Sequence, residues 1–186
     1  MKKLILIGAG AMALEYAKVL NNLGYEYDVI GRGEVSANNF KKIVGKEVYL
    51  GGLENNKNLF NFYTIVINAV NIESLYSTTL FLINMNVKKI LIEKPGSLCK
   101  EELNHLFKLS QAKNIEVFIA YNRRFYNSIR KAIEIIKVDG GLKACNFEFT
   151  EYSNKIQFSK YHSSVKAKWL LANSSHVIDT VLYICG

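Results

Sequence analysis

Leu4-Ile5-Leu6-Ile7-Gly8-Ala9-Gly10-Ala11-Met12-Ala13 is the stretch that decides the fold. Four apolar residues stop at a glycine, and an amphipathic pattern then runs over Ala11–Leu23 to Gly24. A short, wholly apolar run of this kind reads as a strand buried on both faces. The turn between strand and helix is G-x-G-x-x-A. In it Gly8 allows the tight turn, Gly10 lets the backbone approach a pyrophosphate, and the small Ala13 lets helix and strand pack closely. The N–H groups that open the helix suit a diphosphate. A strand before this motif and a helix after it favour dinucleotide binding over a purely structural turn.

The same residues imitate an export signal, with a basic Met1-Lys2-Lys3 start and Ala11-Met12-Ala13 as a cleavage-like end. The strongly apolar part lasts only from Leu4 to Ile7, and cleavage would cut a continuous strand–turn–helix unit. The expectation is a first strand over Lys3–Ile7 and no export signal.

Outward from this unit, strands and helices alternate. Strands are expected at Glu26–Ile30, Glu47–Leu50, Tyr63–Val70, Lys88–Ile92 and Ile115–Tyr121. Helices are expected from Ser36 (as cap) to Val44, over Ser74–Asn86, and over Glu101–Lys113 with Ser97 as cap. This alternation implies an α/β fold, a Rossmann-type doubly wound parallel sheet with helices on both faces. It occupies residues 1–121. Residues 122–186 change rhythm and read as the start of an incomplete α+β second domain. There a helix over Phe125–Lys137 stops at Asp139-Gly140-Gly141. Cys145, Phe147 and Phe149 then alternate with polar neighbours, which predicts an antiparallel strand over Ala144–Tyr152. A loop over Ser153–Lys168 leads to a last helix over Ser174–Ile184.

Composition narrows the function classes. The 186 residues carry 24 Lys and Arg against 16 Asp and Glu, a net charge of +8. Twenty of those cations are Lys and only four Arg, scattered and never in a run longer than two. A nucleic-acid surface would cluster them with aromatics, so solvated surface lysines are the better account. No apolar run approaches the ~20 residues of a membrane-spanning helix. Cys99, Cys145 and Cys185 form no C-x-x-C pair and leave an odd thiol, which favours a reducing, cytoplasmic setting over a disulfide framework. No His/Cys/Asp cluster has metal-ligand spacing, and His105 and His162 carry no motif.

The residues after the second strand bear on the cofactor. An acid there would receive a ribose 2′-hydroxyl, whereas an Arg suits a 2′-phosphate. The chain has Gly31 and then Arg32, with no acid before Glu34, so NADP is favoured over NAD. Glu93-Lys94-Pro95 holds the only proline and ends a strand, where open α/β sheets bind ligands. Lys94 is either a donor to a substrate oxygen or a solvent-facing loop residue; spacing alone favours neither.

These motifs, with Tyr121-Asn122-Arg123-Arg124-Phe125 and Ser175-His176-Val177-Ile178-Asp179, resemble the glucose-fructose oxidoreductase, inositol dehydrogenase and rhizopine-catabolism family from end to end. The resemblance implies a nicotinamide-dependent oxidoreductase acting on sugars, cyclitols, nucleotide-sugars or related carbonyl compounds. It implies Lys94 and His176 as the catalytic pair flanking the reacting carbon. Gly8, Gly10, Ala11, Met12, Ala13 and Arg32 are expected at the cofactor. Asn68, Ala69, Val70, Glu93, Lys94 and Asn122 are expected there too. If Asn173 caps the last helix, His176 lies in its first turn, where the helix dipole favours the neutral imidazole a general base needs. Asp179 shares its helix face.

The chain departs from the family pattern at Ala172, where an Asp four residues before the histidine is usual, and at Asn71, where proline is usual. Members of the family also continue into a broad mixed sheet. The expectation is therefore a chain truncated in its second domain, or one completed by a homo-oligomer or a partner chain. A dinucleotide-binding module or pseudoenzyme without turnover stays open beside the oxidoreductase reading.

Overall fold

The computed structural model describes residues 4–186, and the chain divides into two compact units, Met1–Ile119 and Ala120–Gly186. The first unit runs β1 (Leu4–Ile7), α1 (Ala11–Asn22), β2 (Tyr27–Ile30), α2 (Glu34–Val44) and α3 (Gly52–Asn55). It continues with β3 (Ile65–Asn68), α4 (Leu75–Asn84), β4 (Lys89–Ile92), α5 (Lys100–Ala112) and β5 (Glu116–Ile119). All five strands are parallel, in the order β2-β1-β3-β4-β5. The fold is Rossmann-like: β1 pairs with β2 on one side and β3 on the other, so the chain changes direction across the sheet beside β1.

Alternation along β1 explains both faces. Leu4 and Leu6 join Ala13, Ala17 and Leu20 of α1 and Phe40 of α2 in one core. Ile5 and Ile7 join Leu75, Leu82 and Ile83 of α4 and Leu106 of α5 in the other. Each such fully buried aliphatic side chain contributes about 1.5–3 kcal/mol. At the end of α1, Tyr25 N–H bonds to Leu20 O at 2.9 Å and Gly24 N–H to Asn21 O at 3.0 Å. This reversal puts Gly24 at φ +68°, a conformation glycine adopts without steric penalty.

Several local expectations are corrected. Glu47–Leu50 is not a strand: Tyr49 alone bridges to Ile30 beside β2. Ser36 does not cap α2, which starts two residues earlier at Glu34; its hydroxyl bonds to Gly33 O at 3.0 Å. Ser97 lies two residues before Cys99, the cap of α5, and accepts from Cys99 N–H at 3.0 Å while donating to Glu102. The expected first-strand residue Lys3 lies outside the described residues.

The second unit contains α6 (Asn127–Val138), α7 (Ser153–Gln157), α8 (Ser163–Ala167) and α9 (Ser175–Cys185). A 3-10 turn, Asn122–Phe125, precedes α6, and a π turn, Leu170–Ser174, leads into α9. The antiparallel strand expected over Ala144–Tyr152 is absent, and these residues pair with no strand among the described residues. Alternation creates a two-faced strand but supplies no neighbour for its backbone to pair with. The expected loop over Ser153–Lys168 contains α7 and α8. His162 caps α8, its Nδ1 accepting from Ser164 N–H at 3.3 Å. No helix among the described residues is long and apolar enough to cross a membrane.

Candidate functional site

A cleft of about 440 Å³ opens at the carboxyl ends of β1, β2 and β3. Gly8 and Gly10 line it from the turn after β1, Gly31, Arg32 and Gly33 from that after β2, and Ala69, Val70 and Asn71 from that after β3. This is the crevice where the strand order reverses, the usual ligand position in an open parallel sheet.

The two motif glycines differ physically. Gly8 has φ +112°, and a Cβ there would sit 2.5 Å from Ala69 O. It is a glycine because β1 and the β3 loop touch. Gly10 has φ −89° and ψ −169°, which any residue adopts, and a Cβ there would meet nothing within 4 Å. Neither backbone nor packing requires glycine at position 10, and the space it leaves borders the cleft. Gly10 also caps α1 without any side-chain bond, and the first turn holds no acid. A diphosphate fits both features, since an uncapped helix start offers N–H donors and a positive dipole end.

Arg32 supplies the cation. Its Nη2 donates to Asn71 Oδ1 and Ser74 Oγ, each at 3.2 Å, so two neutral acceptors hold the guanidinium at the cleft wall. Ser36, Ser77 and Thr78 add hydroxyls to the lining. A nicotinamide dinucleotide therefore fits the residues present.

Of the other expected cofactor residues, Ala69 and Val70 line the cleft and the rest do not. Ala11 and Met12 are exposed on the first turn of α1, and Ala13 is fully buried beneath it. Asn68 does not line the cleft: its amide is buried and donates to Leu75 O at 3.2 Å and Thr79 Oγ1 at 3.1 Å, bracing α4 against β3. Glu93 is absent from the lining as well; it is buried and accepts from Tyr16 Oη at 2.6 Å. Lys94 follows it, half-buried, in a turn closed by Gly96 N–H to Glu93 O at 3.0 Å across a cis Lys94–Pro95 peptide. Such a turn with proline at its third position matches type VI geometry.

Asn122 is exposed in the second unit, at the start of the turn before α6. His176 stands half-buried on α9, with Tyr121 edge-on to its ring at 5.8 Å between centroids and an interplanar angle of 82°. Arg124 makes a two-pronged ion pair with Asp179, its Nε donating to Oδ2 at 2.8 Å and its Nη2 to Oδ1. The guanidinium also lies over the Tyr183 ring, 5.0 Å from its centroid. Asn173 does not cap α9. Winding continues from the π turn, and the Asn173 amide donates to Glu151 at 3.1 Å. The dipole argument for a neutral His176 therefore lapses. Ala172 is buried.

Sequence reasoning missed Tyr16, which belongs to no motif, and the hydroxyls of Ser74, Ser77 and Thr78. Their only signal is small polar residues spaced three and four apart at the start of a helix. Among the described residues no group of three or more His, Cys, Asp or Glu is placed to hold a metal ion.

The sequence profile of the pyridine nucleotide-disulphide oxidoreductases matches residues 3–56. No curated protein sequence matches the chain. Solved structures do. A protein assigned as a myo-inositol dehydrogenase from Sinorhizobium meliloti 1021 is 16% identical with a TM-score of 0.76, covering 100% of this chain and 56% of its own. The WlbA dehydrogenase from Chromobacterium violaceum, solved with NADH and UDP-GlcNAcA, is 12% identical with a TM-score of 0.74, covering 100% and 55%. An NAD-binding protein from Listeria innocua is 16% identical with a TM-score of 0.73, covering 98% and 54%. The chain thus spans about half the length of these structures. The likeness is one of fold: a five-stranded parallel sheet with flanking helices, Rossmann-like.

Proposed function

We propose that the chain is the dinucleotide-binding part of an NAD(P)-dependent oxidoreductase of the family its motifs resemble. Its substrate would be sugar-like, a cyclitol or a nucleotide-sugar. The observation that carries the reading is the cleft at the sheet's switch point, where Gly10 leaves unused space at the uncapped start of α1. When bound, the dinucleotide supplies the hydride acceptor or donor. The N–H groups of Ala11, Met12 and Ala13 hold its diphosphate, and Arg32 its 2′-phosphate, so NADP is preferred to NAD. Lys94 donates a hydrogen bond to the substrate oxygen, and His176 takes up or returns the proton. Substrates of this class are supported by the UDP-GlcNAcA bound to the WlbA dehydrogenase. The free thiols Cys99, Cys145 and Cys185 support a reducing, cytoplasmic setting. Exposed Phe125, Phe147, Phe158 and Leu182 in the second unit support assembly with a second copy or a partner chain.

The second reading is binding without turnover. It rests on the buried Ala172, which offers no carboxylate to the site, and on Asn173, whose amide is taken up by Glu151. Stopped-flow reduction of bound NADP by a panel of sugars, cyclitols and nucleotide-sugars separates the two. The oxidoreductase reading expects a rapid rise in absorbance at the reduced nicotinamide band with at least one substrate. Tight NADP binding with no hydride transfer across the panel would select the second reading, and failure to bind either dinucleotide would reject both.

A further inference from the structure

Glu93 is an anomaly in the nucleotide-binding unit. A carboxylate at a strand end that binds ligands would be expected to face the ligand, yet it is only 9% exposed and does not line the cleft. Taking a carboxylate out of water requires a partner. That partner is the Tyr16 hydroxyl, 77 residues away in sequence and 2.6 Å away in space, on the second turn of α1. Burial first, and then the adjacent carboxylate, hold the Tyr16 phenol well above its usual pKa, so it stays a donor at all physiological pH. Side chains on a helix lean towards its N-terminus. Tyr16, on the second turn, is therefore tied through the helix to the first turn, which starts at Gly10 on the edge of the cleft.

The backbone at Glu93 ties this contact to the next residues. Glu93 N–H bonds to Asn68 O at 2.9 Å, and Glu93 O accepts from Gly96 N–H at 3.0 Å. The turn that carries Lys94 is thus pinned at its first residue by three bonds. Two are backbone bonds that any sequence could make; the third comes from α1.

We infer that Tyr16 is a positioning residue: through Glu93 it couples occupancy of the dinucleotide site at the start of α1 to the placement of the Lys94 turn. The inference rests on the cofactor reading above. A ligand that draws the first turn of α1 towards itself moves the base of Tyr16 with it, and the charge-assisted bond carries that restraint to Glu93. Its geometric counterpart is the short bond between α1 and the turn after β4, which β2, α2, α3, β3, α4 and β4 separate along the chain. In Tyr16→Phe the ring still fills its place, but the mechanical link is gone.

Hydrogen exchange tests this, because both ends carry bonded reporter amides. Leu14 N–H bonds to Gly10 O at 3.1 Å in α1, and Gly96 N–H and Cys99 N–H report the Lys94 turn. Saturating NADP should slow exchange at Leu14 and, by about five- to tenfold, at Gly96 and Cys99 in the wild-type chain. Tyr16→Phe should keep the first effect and lose the second, and so should Glu93→Ala. Glu93→Gln should rescue the second, since its amide oxygen still accepts from Tyr16. Slowing at Gly96 that survives in Tyr16→Phe overturns the inference, as does wild-type slowing confined to Leu14. If NADP slows neither end, the cofactor reading itself fails and takes this inference with it. A circular-dichroism melt of each variant separates loss of coupling from loss of fold.

Discussion

At position 8 an added Cβ would strike Ala69 O and force a non-glycine residue to φ +112°; at position 10 it would enter open cleft. The two glycines of one motif thus differ: the fold requires the first, and only the proposed ligand would require the second. Gly8→Ala should cost about 1–3 kcal/mol of stability, read as a lowered melting temperature. Gly10→Val should leave the melting temperature nearly unchanged, since its φ and ψ are extended, while lowering dinucleotide affinity at least about tenfold in a fluorescence titration. Full affinity in Gly10→Val would remove the diphosphate from the start of α1. Arg32 makes the complementary case. Arg32→Ala should weaken NADP by about 1–3 kcal/mol and NAD by much less, since only the 2′-phosphate gains a charge-assisted bond. Calorimetry showing equal losses for both dinucleotides would show that Arg32 does not read the phosphate. The place of the glycines and Arg32 at strand ends beside one cleft is legible because their spacing from a buried strand carries meaning. Tyr16 was not legible, because a tyrosine at the edge of a helix face reads the same whether its hydroxyl meets water or a carboxylate 77 residues on.

Among the elements, β1, α1 and the alternation that follows could be read because buried parallel strands are continuous apolar runs. The second unit resisted the same reading. Ala144–Tyr152 has a strand's alternation without a strand's partner, and α7 and α8 are too short to show a period. The start of α9 is not legible for a related reason: a cap is defined by where winding begins, and a π turn moves that point upstream of Asn173. Glu151 marks the junction, accepting from Ser174 Oγ at 2.7 Å and from the Asn173 amide. These bonds, Ser174's first, hold its carboxyl below the usual range. A carboxylate whose native pKa is depressed adds stability above its unfolded pKa, and that stability is lost as pH falls through the native value. Acidification from about pH 5 to pH 3 should therefore loosen the π turn and the start of α9 in the wild type. In Glu151→Gln this loss should be absent from the pH dependence of amide exchange over residues 170–176. An unchanged profile would show that Glu151 does not hold the turn. On the same helix, Asp179 is nearly buried while its partner Arg124 keeps 39% of its side chain exposed. Asp179→Ala should cost about 1–3 kcal/mol, below the figure for a fully buried pair, and should free the α9 amides to exchange.

At the scale of the whole chain, the two units differ in how much they bury. Both hydrophobic cores draw their buried residues from positions 4–115. In the second unit the buried residues are Val165, Ala172, Ser174, Ser175 and Asp179. Helix α6 has an apolar side yet buries no residue, and Ile135, Val138, Phe147 and Phe158 stand exposed. Local opening free energy follows buried apolar contact, so the units should not open together. Amides in β1, β3 and β4 should exchange only through global unfolding, while those of α6, α7 and α8 exchange orders of magnitude faster. α9 should fall between, held by the Arg124–Asp179 pair and the Tyr121–His176 contact. If His176 is the proton-transfer group, that intermediate standing matters, because acid–base catalysis requires a fixed distance to the reacting atoms. The prediction is checked by hydrogen-exchange mass spectrometry on a dilute sample of the chain. Uniformly slow exchange through α6 and α9 would show that polar and aromatic contacts alone stabilise the second unit, and the argument from burial would then be wrong.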